Sequence, residues 1–127
     1  METLLLSSCQ PALAARLLAG MAALDPTGRM CEDGIPGMAR RGECFLATTG
    51  EGDQAVVVMR QENGVAWVDA ARALSGQRWT PALFAAIERQ ARGQQAVAFQ
   101  TARAGLARSA QALGYEVTGY ILRKKLP

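Results

Sequence analysis

The stretch VAWVDAARALSGQRWTPALFAAIERQARG, residues 65–93, decides the fold. Val65 to Leu74 reads as a strand, and Leu83, Phe84, Ile87 and Ala91 then recur at helical spacing and give the following helix one buried side. Thr80-Pro81 reads as an N-cap followed by a first-turn proline. Arg89 and Arg92 suit the negative end of the helix, and Gly93 stops it. Gln95 to Thr101 returns as a strand. Such a strand–helix–strand unit closes as a right-handed crossover, so its two strands lie parallel or close together in one sheet.

Working outward, Asn63-Gly64 favours the left-handed dihedrals of a tight turn, which makes Gln54 to Arg60 and Val65 to Leu74 an antiparallel hairpin. Residues 56–59, VVVM, are apolar without alternation, as in a strand covered on both faces. Glu43 to Thr48 forms the preceding strand, joined through Gly50-Glu51-Gly52-Asp53. Further upstream, Thr3 to Ser7 reads as a short strand and Pro11 opens a helix with Leu13, Leu17, Met21 and Leu24 on its buried face, ended by Asp25-Pro26. The glycines and prolines between Thr27 and Gly42 leave room for only a short helix, around Pro36 to Arg40. Downstream, Ala104 to Leu113 forms a helix closed by Gly114, and Tyr115 to Leu126 one bent strand or a hairpin. The expectation is a single α/β domain over residues 1–127, with a mixed, mostly antiparallel sheet and helices on both faces.

Composition excludes more than it proposes. Half of the 127 residues are hydrophobic and a fifth charged, as in a folded globule, and the net charge of +3 is too small and too scattered to suggest a nucleic-acid partner. Histidine is absent, which removes the commonest general base and metal ligand and every Ser-His or Cys-His arrangement. Cys9, Cys31 and Cys44 are an odd number without metal-binding spacing, so no metal site and no disulfide framework is expected; buried thiols in a reducing cytoplasm are the plain reading. Glu2 stands where an export signal needs positive charge. The apolar run from Pro11 to Leu24 is broken by Arg16 and is shorter than the roughly 20 residues of a membrane span, so a cytoplasmic protein is expected, with no membrane partner.

The segment SGQRWTP, residues 75–81, enters its helix as a loop able to hold an anion, because the first backbone N–H groups of a helix are unpaired and lie at the positive end of its dipole. It carries one glycine where such loops have several, and a plain capped helix is the competing reading. Trp79 either stacks on a ligand or covers the helix start as packing; Trp67 reads as core.

In element order over nearly the whole chain, and in residues from Val65 to Leu126, the sequence resembles the GCN5-related N-acetyltransferase superfamily, which moves an acetyl group from acetyl-CoA to an amine. In that family a loop of the form Arg/Gln-x-x-Gly-x-Gly/Ala holds the cofactor's pyrophosphate with main-chain N–H groups. The resemblance places that role on Leu74, Ser75, Gly76, Gln77, Arg78, Trp79 and Thr80. Ser75 stands in the place of the family's arginine, and Arg78 and Thr80 replace its two diagnostic glycines. The ending AGLARSAQALGYEVTGYILRKKL, residues 104–126, is similar to the family's terminal helix and strand, with Gly114-Tyr115 in the place of a Gly-Phe pair. The family's proton-donating tyrosine falls at Ala110. Ser109 lies on another side of the helix, which leaves Tyr115 or Tyr120 as the acid if the sheet turns one toward the thiol.

For the proton leaving the amine, the resemblance asks for a carboxylate. Asp69 is the first candidate, lying mid-strand where a charge is out of place, with alternation expected to put Trp67, Asp69 and Ala71 on one face; the competing reading is a carboxylate paired with a nearby arginine or exposed on an edge. Glu43 is the second. The resemblance also assigns the region between Thr27 and Gly42 to an unidentified amine acceptor; the terminal strand often mediates pairing in such folds, and Tyr120, Ile121 and Leu122 offer an apolar edge for a homodimer, while the basic residues beside them could equally keep that edge unpaired. A fainter similarity, carried by LSGQRWTPALF and ARAGLARSAQALGY, is to acetyltransferase-like proteins encoded among the virion genes of short-tailed phages. That similarity implies a catalytically inactive binding or structural protein with a phage assembly partner. Both readings, enzyme and scaffold, follow from the same residues.

Overall fold

The computed structural model describes residues 3–19, 34–74, 80–101, 103–120, 122, 124, 126 and 127. Along the chain these form β1 (Leu5–Ser8), α1 (Pro11–Leu17), α2 (Gly34–Arg41), β2 (Glu43–Thr49), β3 (Gly52–Glu62), β4 (Val65–Ala73), α3 (Thr80–Gln90), β5 (Ala96–Ala98) and α4 (Ala104–Ala112). The strands lie in sequence order in one mixed sheet. Pairing is antiparallel from β1 to β4, and parallel between β4 and β5, as the crossover requires.

β3 is the centre of the molecule. Val56 and Val58 face α1 and α2, packing with Ala14, Leu18, Ile35, Met38, Ala39, Cys44 and Ala70. Val57 and Met59 face the other way, onto Phe45, Ala66 and the Ile87 and Ala91 side of α3. A strand covered on both faces has no use for polar alternation, which explains the unbroken VVVM. The turn at Asn63-Gly64 takes the positive φ angles expected of it, 53° and 80°.

α2 ends against the sheet itself. Gly42, the residue between α2 and β2, passes so close to β3 that a β-carbon there would lie 2.7 Å from Val58 Cγ1 and 2.8 Å from the Met59 carbonyl oxygen. The position admits glycine because nothing larger fits.

Four expectations are corrected. The side of α1 turned to the core carries Ala14 and, at the C-cap, Leu18, whereas Leu13 and Leu17 are only partly covered, because the buried face is turned by one residue from the Leu13–Leu17 stripe; Met21 and Leu24 lie outside the described residues. α3 begins at Thr80 itself, a one-residue difference from the N-cap reading. β5 spans Ala96–Ala98 instead of Gln95 to Thr101, since the chain leaves the sheet at Phe99 to join an aromatic cluster. No described residue between Tyr115 and Leu126 lies in a strand. Val117, Tyr120 and Leu122 are exposed there, and β-propensity expresses packing on a half-covered surface that these side chains do not have.

Candidate functional site

β4 pairs with β5 over Val65–Trp67 against Ala96–Ala98, and there the pairing stops. β4 continues from Val68 to Ala73, yet no described strand takes up its ladder groups on that side. The two parallel strands thus part like a V, one arm running on toward the start of α3 and the other turning away at Phe99. The open arm offers main-chain donors and acceptors in extended conformation, which suits a ligand that is itself extended and rich in amides.

A bulge sits at the mouth of this V. Met59 pairs with Val68 and Val58 with Ala70, so Asp69 faces no residue of β3. An extra residue in one strand bends it and reverses the alternation beyond. Ala71 accordingly packs on the α3 side with Ala66 and Val68, not on the face of Trp67 and Asp69 as simple alternation predicts.

The Asp69 side chain, 14% exposed, projects to the α1 and α2 side, where its Oδ2 accepts from Arg60 Nε at 3.0 Å. Arg60, 24% exposed, also donates to Glu62 through Nη1. The two carboxylates and the burial of the guanidinium pull in opposite directions, and the hydrogen bond to Glu62 leads, so the Arg60 pKa is raised and the cation is fixed. Arg60 lies opposite Trp67 in the ladder, which gathers Trp67, Asp69 and Arg60 on one face. Glu43 falls on the opposite face, beside Phe45 and Met59 in a shallow depression also lined by Gln90 and Ala91, so the two candidate carboxylates do not share a site.

Ser75, Gly76, Gln77, Arg78 and Trp79 lie outside the described residues. Their flanks are in place. Leu74 still belongs to the sheet, its N–H donating to the Gln54 carbonyl at 2.8 Å, and Thr80 starts an 11-residue helix whose first N–H groups have no partner within the helix.

Tyr115 is held away from the sheet by aromatic packing. Its ring centroid lies 5.0 Å from that of Phe84 on α3 and 5.8 Å from that of Phe99, which are themselves 5.5 Å apart. Its hydroxyl donates to Glu88 Oε2 at 2.9 Å. Burial first, and the Glu88 carboxylate second, push the phenol well above its usual value. Ser109 donates to the Gly105 carbonyl of its own helix at 3.1 Å, Ala110 is buried, and Tyr120 is 90% exposed.

Arg60, Glu62 and Glu88 were not singled out by the sequence. The two-residue turn at Asn63-Gly64 contains the signal for the first of them: counting outward from it puts Arg60 opposite Trp67 and diagonal to Asp69. Glu88 carried no comparable signal, because its contact depends on where the chain goes after α4. Among the described residues, no group of three or more histidine, cysteine, aspartate or glutamate side chains could hold a metal ion, and no helix is long and apolar enough to cross a membrane.

The parallel β4–β5 pair that opens beside a bulge, with α3 following in the chain, is a fold shared with solved acetyltransferase structures. A complex of AAC(6')-Iy with the bisubstrate analogue CoA-S-monomethyl-acetylneamine superposes with a TM-score of 0.60 at 16% identity, covering 98% of each chain. The ribosomal-protein-alanine N-acetyltransferase of Brucella melitensis biovar Abortus 2308 gives 0.61 at 15% identity, over 97% of this chain and all of the other. The putative N-acetyl transferase YhhK of E. coli, bound to coenzyme A, gives 0.53 at 15% identity over 94% of both. No protein-family model matches the sequence, and no curated protein matches it, so the likeness resides in the fold.

Proposed function

We propose that the chain binds acetyl-CoA in the V between β4 and β5 and transfers its acyl group to an amine. The observation that carries this reading is the combination of a β4 edge from Val68 to Ala73 that no strand among the described residues takes up on the side away from β3, with a bulge at Asp69, ahead of a helix start. The fit rests on chemistry. A pantetheine arm is an extended chain with two amides, and an open strand edge pairs with such a chain as it would with another strand. The pyrophosphate would fall to the segment Leu74 to Thr80, with Arg78 as added positive charge beside the α3 N-terminus.

When bound, acetyl-CoA supplies a thioester carbonyl and a thiolate leaving group. The residues of this chain supply the rest. Asp69 has Oδ2 fixed by Arg60, and its second oxygen, without a partner among the described residues, is available to an incoming ammonium and to the proton it releases. Trp67, on the same face, supplies an apolar wall. Tyr115, the sequence's candidate for the acid, gives its hydroxyl to Glu88 and is held above its usual pKa, so in this reading the departing thiolate takes its proton from water. The acceptor amine approaches from the α1 and α2 side, where Asp69 points.

Isothermal titration of the full chain with acetyl-CoA and with desulfo-CoA tests the first requirement, and heat with both is expected. Asp69→Asn should then lower amine turnover far more than cofactor affinity. No heat and no thermal shift at millimolar ligand would overturn the enzyme reading and leave the other one, a scaffold of this fold serving binding or assembly, including in a phage particle.

A further inference from the structure

The β1–β2 ladder pairs Leu5 with Thr48, Leu6 with Ala47, Ser7 with Leu46 and Ser8 with Phe45. The next step of the same register brings Cys9 opposite Cys44, and the Cys9 N–H donates to the Cys44 carbonyl at 2.9 Å. Opposed antiparallel residues that share such a bond have Cα atoms about 5.5 Å apart, inside the span of about 4.4–6.8 Å found for disulfides. Their side chains leave the sheet on one face. Cys44 is a member of the core beneath α1 and α2, and Cys9 packs against that same core. The two thiols are close enough for the charge on one to disfavour charge on the other.

We propose that Cys9 and Cys44 are a redox-active thiol pair that closes to a disulfide by exchange with a low-molecular-weight disulfide of the glutathione type. Accessibility fixes the order of events. Cys9 is partly exposed and Cys44 is buried, so the reagent meets Cys9 first. The Cys9 thiolate, its proton lost to solvent, attacks one sulfur of the reagent; a new S–S bond joins Cys9 to that half as a mixed disulfide, the reagent's own S–S bond breaks, and the other half leaves as a thiolate. The Cys44 thiol then loses its proton and its sulfur attacks the Cys9 sulfur, forming the Cys9–Cys44 bond and expelling the second half as a thiolate. The protein gives up two electrons and two protons, and the reagent becomes two thiols.

Both thiols are held above their ordinary pKa, Cys9 by burial and then by Asp53, Cys44 by burial and then by Cys9, so the pair is a slow responder and not a primed nucleophile. Closure has a structural consequence. In the reduced protein the Cys44 thiol donates to the Ala39 carbonyl of α2 at 3.3 Å, and Cys9 immediately precedes Gln10, the N-cap of α1. The disulfide removes the donor from Ala39 and ties the entrance of α1 to β2, so the layer that changes is the α1 and α2 side toward which Asp69 points. The pair itself does not rest on acetyl-CoA binding.

The experiment uses Cys31→Ser protein, in which only these two thiols remain, exposed to oxidised glutathione, quenched with acid, alkylated and measured by intact mass and peptide mapping. The expected product has lost two hydrogens, takes up no alkylating agent and yields a cross-linked peptide pair containing Cys9 and Cys44. Adding Cys44→Ala should stop the reaction at a glutathione adduct on Cys9, and adding Cys9→Ser should leave Cys44 reduced. A stable glutathione adduct on Cys9 in the Cys31→Ser protein, without cross-linking, would overturn the proposal. Modification of Cys44 at an undiminished rate in the Cys9→Ser variant would overturn it equally, and the mass of the Cys31→Ser protein decides the matter even where a second substitution prevents folding.

Discussion

Gly42→Ala isolates the contact that seats α2 on the sheet. A methyl at this position would stand 2.7 Å from Val58 Cγ1 and 2.8 Å from the Met59 carbonyl oxygen. Neither neighbour can yield easily: Val58 is fully buried, and Met59 is engaged in the β3 ladder with Glu43 and Val68. Forcing an extra carbon into a closed core costs about 3 kcal/mol at the upper end of the usual range. Replacing glycine by alanine also restricts the unfolded chain, which returns roughly 0.4–1 kcal/mol. The steric term wins, leaving a net loss of about 2 kcal/mol. With an unfolding entropy of about 2.1 cal/mol/K per residue, a chain of 127 residues should melt about 8 °C lower. Urea titration and calorimetry measure it, with Gly119→Ala as the control, because a β-carbon at Gly119 meets nothing within 4 Å. Gly42→Ala protein that melts at or above the wild-type temperature would refute the packing of α2 described above.

Phe84→Ala removes the ring that touches both Phe99 and Tyr115 and should cost about 4 kcal/mol, enough to loosen α4 ahead of the sheet in hydrogen exchange; uniform loss of protection would contradict the separate anchoring of α4. Tyr115 keeps its proton longer in the folded than in the unfolded protein, so its contribution is fully present below the unfolded value of about 10 and falls away as pH rises beyond it. Stability measured from pH 9 upward (roughly the foot of that titration) should therefore decline less steeply in Tyr115→Phe, and identical slopes would remove the buried phenol from the account. A double-mutant cycle with Arg60→Gln and Asp69→Asn should give a coupling of about 1 kcal/mol for this partly buried pair, and strict additivity would mean the bridge contributes nothing.

The order of elements was legible because each rests on local chemistry: Asn63-Gly64 for the hairpin, VVVM for the central strand, Thr80-Pro81 and Gly93 for the limits of α3. What was not legible depends on relations between strands. The bulge at Asp69 is a slip of one residue between β3 and β4, and nothing in VAWVDAARAL announces that Ala71 will face the α3 side. β5 was read too long because its apolar residues continue past the point where pairing ends, and Phe99 spends its side chain on Phe84 and Tyr115 instead. The terminal segment reads as one bent strand or a hairpin from its apolar residues and from the resemblance, whereas the exposed Val117, Tyr120 and Leu122 lack a surface to pack on. Asp69 was found as a misplaced charge; its partner Arg60 could have been reached by counting from the turn. Ser75 to Trp79 lie outside the described residues, so this loop bears on the site only through Leu74 and Thr80.

Backbone amide resonances followed during addition of acetyl-CoA test the central claim most directly. The account predicts shifts concentrated at Val68 to Ala73 on β4 and from Val97 to Thr101, with β2 and the Asn63-Gly64 turn unmoved. An unchanged spectrum at millimolar ligand, or shifts gathered on the β1 edge, would contradict it.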